Sequence, residues 1–347
     1  MHLASYQKIL SNEKVQCLLC PHSCILDSNQ RGLCNVRENR GGALWTYAYN
    51  NPCSMAFDPI EKKPLYHFHP GKKILSLATG GCNFKCLNCQ NASISQTFPE
   101  NLSTQIWTPA ALIRLAKKEK LDLIAFTYTE PTVFFEYMLA VAQLAKQSAC
   151  KTVLISNGYI QRAPLLELLP YLDAANIDLK SLNDAVYRQL SGGRLQPVLD
   201  ALLVLRDSPV WLEISHLLIP GFSDDAASVK RLCQWLVSHN FEDVPLHLSR
   251  FYPHHKLSDT ASTTDKNMLR AYKIAKDAGL HYVYMGNASG LNGENTYCPN
   301  CGQLVVGRNG YRIESNQIYH GQCTSCGKPI SGFFDWSFSP KTSVLKQ

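Results

Sequence analysis

The chain has 347 residues, 45% hydrophobic and 18% charged, and its 34 Lys and Arg outweigh 27 Asp and Glu for a formal charge of +7. That length can bury a large core, and one barrel of roughly 200–250 residues with small appendages fits it better than two equal domains. No stretch reaches the roughly 18 apolar residues of a membrane span, and the opening MHLASYQKIL lacks the apolar run of a signal peptide, so a cytoplasmic protein without a membrane partner is expected.

Fourteen cysteines in a long chain without an export signal argue for metal rather than disulfides. Eleven fall into three spaced groups. Of the other three, Cys150 and Cys233 lie in apolar contexts that read as core packing, and Cys53 has no assigned role. The positive charge shrinks to about +2 once two tetrathiolate sites and a three-cysteine cluster are counted as anions. No Lys/Arg run exceeds two residues, so nucleic acid is disfavoured as a partner.

In chain order, residues 1–72 form a cysteine-rich segment and lead-in. Cys17, Cys20, Cys24 and Cys34 read C-x2-C-P-H-x-C-x9-C. A short loop-rich stretch with four thiols implies a metal, because it cannot build its own core. Zinc, for which His22 also speaks, and a second iron–sulfur cluster both fit.

Residues 73–290 alternate strand-like and helix-like segments, the pattern of a parallel α/β barrel. Strands are expected at 74–78, 123–128, 152–156, 175–179, 211–219, 245–250 and 281–285. Helices are expected through AALIRLAKKEK, opened by the cap Thr108-Pro109, and through VFFEYMLAVAQLAKQ, AVYRQL, PVLDALLVL, SVKRLCQWLVSH and KNMLRAYKIAKDAG.

The first strand runs into GGCNFKCLNCQN, whose Cys82, Cys86 and Cys89 are spaced C-x3-C-x2-C. A 4Fe–4S cluster normally takes four cysteines, so three leave one iron free to bind something else. Structural zinc normally takes four protein ligands and a redox pair needs two thiols, so both fit less well.

In parallel barrels the chemistry sits at the C-terminal ends of the strands. Here the triplet, Glu130, Asn157, Lys180, Pro220-Gly221 and Arg250-Phe251-Tyr252 follow six successive strands. Asp178 and Lys180 are two apart, so they share a face, and burying both is costly unless they pair or meet a polar ligand. Arg250, Tyr252, His254 and Lys256 are substrate-facing candidates.

Residues 291–347 are expected to form a zinc ribbon. Cys298, Cys301, Cys323 and Cys326 stand in two C-x2-C-G knuckles separated by 21 residues. The glycines permit the tight knuckle turns, and four thiols suit one tetrahedral ion.

Taken together, GGCNFKCLNCQN, TEP, SNGYI, NIDLK and PGFSDD resemble the radical S-adenosylmethionine (SAM) superfamily, in its glycyl-radical-enzyme activase branch. The order of CPHSC, EKKPLYHF and TYCPNCG more closely resembles the AmmeMemoRadiSam-system radical SAM proteins. The resemblance implies an α/β fold, a partial (β/α)6 TIM-like barrel flanked by the N-terminal Cys-rich segment and the C-terminal ribbon. It implies a 4Fe–4S cluster on Cys82, Cys86 and Cys89, with SAM on the open iron, cleaved by one electron to a 5′-deoxyadenosyl radical that abstracts hydrogen.

Glu130 would then accept from the SAM ammonium, with backbone at Tyr128 and Thr129 meeting the methionyl end. TYTEP stands where the family usually has Gly-Gly-Glu-Pro, and an extended strand end there needs no positive φ. Ser156 and Asn157 would lie near the ribose or carboxylate, Asp178 and Lys180 near SAM or substrate, and Pro220 along the adenosine. Asn88 stands where many members carry an aromatic residue over the adenine. A flavodoxin- or ferredoxin-type donor would supply the electron. The substrate, protein, small molecule or RNA, stays open, and a zinc-dependent protein or nucleic-acid binding module is the reading from outside enzymes.

Overall fold

A computed structural model describes residues 1–334; the last part of the expected ribbon tail, 335–347, lies outside the described residues. Its centre is an eight-stranded sheet: β1 (Ser54–Pro59), β2 (Lys73–Ala78), β3 (Leu123–Phe126), β4 (Lys151–Ser156), β5 (Ala174–Asp178), β6 (Trp211–Leu218), β7 (Leu246–Arg250) and β8 (Val283–Gly286). Strands β2 to β8 are neighbours in sequence order and all parallel, while β1 pairs antiparallel with β2 from Ser54↔Ala78 to Pro59↔Lys73. The parallel strands number seven, at the seven places the sequence pattern marks, where the (β/α)6 barrel implied by the resemblance has six, and an antiparallel edge strand is added from the lead-in.

A sheet that always steps the same way with right-handed crossovers carries its helices on one side. The crossover helices are α1 (Pro109–Lys118), α2 (Phe135–Gln147), α3 (Arg162–Leu168), α4 (Asp184–Ser191), α5 (Leu195–Arg206), α6 (Ala226–Ser238) and α7 (Asp265–Asp277). Thr108 caps α1 as expected, accepting from Ala111 N at 3.2 Å, with Pro109 at the first helical position. The helix-facing strand residues, among them Leu75, Leu77, Ile124, Phe126, Ala175 and Ile177, share one core with the helices.

The alternate residues face inward. Near the strand starts Ile74, Leu123, Ala125, Val153 and Ala174 pack on Ile60, Leu65 and Phe68, which plug that end. Further along the same face becomes polar: Ser215 Oγ donates to Asn176 Oδ1 at 2.8 Å, and Asn176 Nδ2 to Pro64 O at 2.7 Å. With one end plugged, the inner face opens at the strands' C-terminal ends.

Two small sheets precede the barrel: Gln7–Ile9, Val15–Cys17 and Ile25–Leu26, and His2–Leu3, Arg37–Arg40 and Ala43–Thr46. They join the same core through Val15, Leu19, Leu26, Val36 and Leu44. The segment after β8 forms a three-stranded sheet, Thr296–Tyr297, Leu304–Asn309 and Arg312–Asn316, and packs at the plugged end through Tyr66, Tyr282 and Tyr284. Among the described residues no helix is long and apolar enough to cross a membrane.

Candidate functional site

The three-cysteine loop leaves β2 through Thr79, Gly80 and Gly81. Gly81 has φ +92°, and a Cβ there would lie 2.3 Å from Val36 Cγ2 and 2.7 Å from Cys34 O, so only glycine lets the loop pass this close to the N-terminal segment. The loop is then pinned by neighbours: Lys85 N donates to Ser191 O (2.8 Å), Leu87 N to Leu190 O (2.9 Å) and Lys256 N to Leu87 O (2.9 Å). Phe84 is buried between Tyr159 and Tyr187, with ring centroids 4.9 and 6.1 Å away.

Cys82, Cys86 and Cys89 are free thiols. Cys82 Sγ accepts from Phe84 N at 3.3 Å, and Cys89 Sγ lies 3.1 Å from Ser95 Oγ. Burial, with the Glu130 carboxylate nearby, pushes the Cys82 thiol well up, and burial pushes Cys86 up to about 11 against the pull of the Lys180 ammonium. Buried thiols of this kind become thiolates when a metal supplies the compensating charge. Close by, the buried Thr79 Oγ1 and Asn88 Oδ1 have no protein partner. The donor set therefore fits a cluster, and hydrogen bonds to the sulfurs are of the kind that tune one.

At the end of β3 the backbone departs from expectation. Tyr128 has φ +64°, not an extended conformation, which costs about 1–2 kcal/mol for a residue with a Cβ. Its carbonyl accepts from Asn91 Nδ2 (2.6 Å), its hydroxyl donates to Asp58, and Lys63 Nζ sits 4.2 Å from the ring centroid while pairing with Asp58 at 2.6 Å. The positive φ is thus held by a clamped tyrosine.

Glu130, only 2% exposed, points into the protein. Its Oε1 accepts from Thr132 N (3.0 Å), Thr132 Oγ1 (2.7 Å) and Ser156 Oγ (2.7 Å), and its Oε2 from Asn157 N (2.8 Å). Burial raises the carboxyl's pKa while these bonds pull it back. A carboxylate has about two acceptor positions on each oxygen; Oε1 is filled by three protein donors, while Oε2 takes one and keeps a second position. Glu130 is a node tying β3 to β4. Asn157 is similarly engaged: its Nδ2 donates to Asn83 Oδ1 (2.8 Å) and its Oδ1 accepts from Tyr159 N (2.8 Å). The node thus reaches the residue after Cys82.

Asp178 and Lys180 share the mouth, as the spacing predicts, with Lys180 Nζ 3.1 Å from Asp178 Oδ2. Burial alone would lower the Lys180 pKa, but the Asp178 carboxylate, with Cys86 nearby, more than offsets it, so the side chain stays protonated. On β6 His216, 2% exposed, places Nδ1 2.7 Å from Leu179 O. Pro220 is partly buried beside Gly221, whose N–H donates to Asp224 Oδ1 at 3.2 Å. Neighbouring Ile219 and Phe251 pack with Leu190 and Leu87, which brings this turn to the cysteine loop.

The remaining candidates stand at and just after the end of β7. Arg250 is paired with Asp265 on α7, Tyr252 OH donates to Asn287 O (3.1 Å), and His254 is exposed. Sequence reading missed Asn83, Asn91 and His216; Asn83 stood inside the cysteine triplet, while His216 had no local signal.

At the opposite end of the barrel, Cys298, Cys301, Cys323 and Cys326 have ligand atoms all within 4.8 Å of one another. The Cys298–Cys326 and Cys301–Cys323 sulfurs are 3.6 and 3.8 Å apart. Gly302 (φ +72°) and Gly327 (φ +74°) close the knuckles, donating to Cys298 O (3.0 Å) and Cys323 O (2.9 Å).

Residues 76–233 match the family model described as the Radical SAM superfamily. Over 332 residues the chain is 39% identical to an uncharacterised protein of Methanocaldococcus jannaschii, covering 95% of this chain and 99% of that one. It is 26% identical over 171 residues to the pyruvate formate-lyase 1-activating enzyme of Escherichia coli (strain K12), covering 47% of this chain and 68% of that enzyme. A solved radical SAM methyltransferase from Sphaerobacter thermophilus superposes with a TM-score of 0.49 at 15% identity, over 68% of this chain and 71% of that one.

Proposed function

The chain belongs to the radical SAM superfamily, and from that premise we propose that it is a SAM-cleaving enzyme of the activating type, acting on a polypeptide. The observation that carries this reading is three free, half-buried cysteines on one loop at the open mouth of the barrel, beside the Lys180–Asp178 pair. Cys82, Cys86 and Cys89 would hold a 4Fe–4S cluster. When bound, such a cluster with SAM on its fourth iron supplies the electron that cleaves the sulfonium, giving a 5′-deoxyadenosyl radical for hydrogen abstraction.

The chain's own residues position and enclose. Lys180, held against Asp178, presents a fixed positive charge beside the cysteine loop, suited to a carboxylate or to ribose oxygens. Glu130 holds Ser156 and Asn157, and through Asn157 it holds Asn83 and the loop, so its proposed role is to orient the site. The Tyr128 turn follows β3 at the mouth, and the apolar plug closes the far end against water. The turn at Pro220 borders the same mouth. Arg250, Tyr252 and His254 lie at the rim, where a polypeptide substrate would pass.

The ribbon thiols suit zinc. A Zn–S bond of about 2.3 Å puts tetrahedral sulfurs about 3.8 Å apart, against the observed 3.6 and 3.8 Å. Docked at the plugged end, the ribbon has a structural role.

The polypeptide substrate is supported by the activating-enzyme relative; the flavodoxin- or ferredoxin-type electron donor is carried over from the family resemblance alone. The test is anaerobic reconstitution with iron and sulfide, then dithionite and SAM, with 5′-deoxyadenosine measured by mass. Wild type should form it and Cys86→Ala should not, with circular dichroism unchanged; nucleoside from a cluster-free Cys86→Ala protein would sink the assignment.

A further inference from the structure

We propose that Cys17, Cys20, Cys24 and Cys34 hold a second 4Fe–4S cluster and not zinc. The four thiols line one cavity, walled also by Leu19, Leu26 and Val133. Cys17 ends the strand Val15–Cys17, Cys24 is paired to it by Cys17 N→Cys24 O (2.9 Å), Cys20 lies on the turn between them, and Cys34 comes from the turn closed by Asn35 N→Gly32 O (3.0 Å).

Spacing separates the two metals. Four sulfurs on one zinc ion lie about 3.8 Å apart, and the ribbon shows that arrangement. On a cubane each thiolate radiates from its own iron, which spreads the sulfurs to roughly 6 Å. Among the described residues, the ribbon is the group whose ligand atoms all fall within 4.8 Å of one another. The N-terminal thiols surround a common space without closing to that spacing. Gly32 borders the space: a Cβ there would make ordinary contact, at 3.8 Å, with the sulfurs of both Cys24 and Cys34.

His22 does not complete a mixed zinc set through Nε2, which is 2.8 Å from Asn83 O. The ligands are then four soft thiolates in an apolar wall. The independent observation is Arg37, 1% exposed and lining the same cavity. Its Nη1 donates to Ser5 O (2.8 Å) and its Nη2 to Glu136 Oε1 (2.5 Å), but its Nε–H has no partner. A buried donor without an acceptor needs an explanation, and the sulfurs of an anionic cluster supply both the acceptor and the countercharge. The site adjoins the first: Cys34 O faces Gly81, and Asn83 both follows Cys82 and lines the cavity.

This inference goes beyond the radical reaction and is tested by metal content. The full chain with Cys82, Cys86 and Cys89 all changed to Ala is reconstituted anaerobically with iron and sulfide in the presence of zinc. The expected result is about four irons and four sulfides per chain, one zinc, and an electron paramagnetic resonance signal on dithionite reduction. Adding Cys20→Ala and Cys34→Ala should remove the iron and leave the zinc. Two zinc ions without iron, or one zinc and no iron, in the triple variant would overturn the proposal. Should these variants precipitate, iron content and Mössbauer spectra of wild type decide: about eight irons, of which about one site shifts with SAM, support it, and about four irons, of which about one site shifts with SAM, refute it.

Discussion

Glu130→Gln separates a positioning role from a ligand role. The carboxylate receives four donors, and two of them, the N–H groups of Thr132 and Asn157, are backbone and cannot turn. An amide offers one oxygen and one NH2, so whichever way the substituted side chain is flipped its nitrogen faces a fixed N–H. The hydroxyls of Thr132 and Ser156 can rotate and limit the damage. The loss is one charge-assisted bond, plus a buried donor left unpaired, together about 2–4 kcal/mol. At roughly 2 °C per kcal/mol the melting temperature should fall by about 4–8 °C, read by anaerobic fluorescence melts of zinc-loaded, cluster-free protein. SAM affinity of the reconstituted variant should weaken only as far as Asn157 and the loop shift. An unchanged melting temperature with SAM binding weakened tenfold or more would mean that Glu130 holds the ligand directly and that the reasoning is wrong.

Gly81→Ala should destabilise by about 2–5 kcal/mol, combining a positive φ with a Cβ forced against Cys34 O and Val36; a chemical denaturation midpoint equal to wild type would refute that packing. His67 is fully buried, with Nδ1 2.6 Å from Ser331 O and Nε2 2.5 Å from Tyr284 OH, and burial lowers its pKa from 6.5 to about 4. Because the folded value lies below the unfolded one, the neutral ring's contribution is complete above pH 6.5 and is lost as pH falls through 4. Over that window wild type should lose on the order of 3 kcal/mol more than His67→Gln, measured as the difference in their pH–stability slopes; parallel slopes would contradict it. Changing Cys301 and Cys326 to Ala should remove one zinc per chain and loosen the ribbon, yet leave 5′-deoxyadenosine formation largely intact, since the ribbon docks at the plugged end; abolition of turnover in a protein whose barrel melts normally would place the ribbon in the mechanism.

Much of the architecture was legible because parallel strands flanked by amphipathic helices leave a strong period change in the sequence. The seven strands appear within a few residues of expectation, and the chemistry-bearing residues follow their ends. The antiparallel strand Ser54–Pro59 escaped notice: it is an edge strand ending in proline, with no alternating pattern strong enough to mark it. Helix Arg162–Leu168 was missed for a related reason, a proline at its third position in a short segment. Strand β3 ends at Phe126, two residues early, because Tyr128 turns to positive φ under a clamp from Asp58, Lys63 and Asn91. That clamp is assembled from three distant segments, which no local window can read. Glu130 was found by its place after a strand, but its direction depends on Thr132, Ser156 and Asn157 and became visible only in three dimensions.

The central claim is that three cysteines leave an iron open for SAM, and it is tested most directly by electron–nuclear double resonance on the dithionite-reduced protein with SAM labelled at its amino nitrogen. The account predicts a hyperfine coupling from the labelled nitrogen in wild type, lost in Cys86→Ala. A reduced cluster in wild type that shows no coupling to bound, labelled SAM would contradict it.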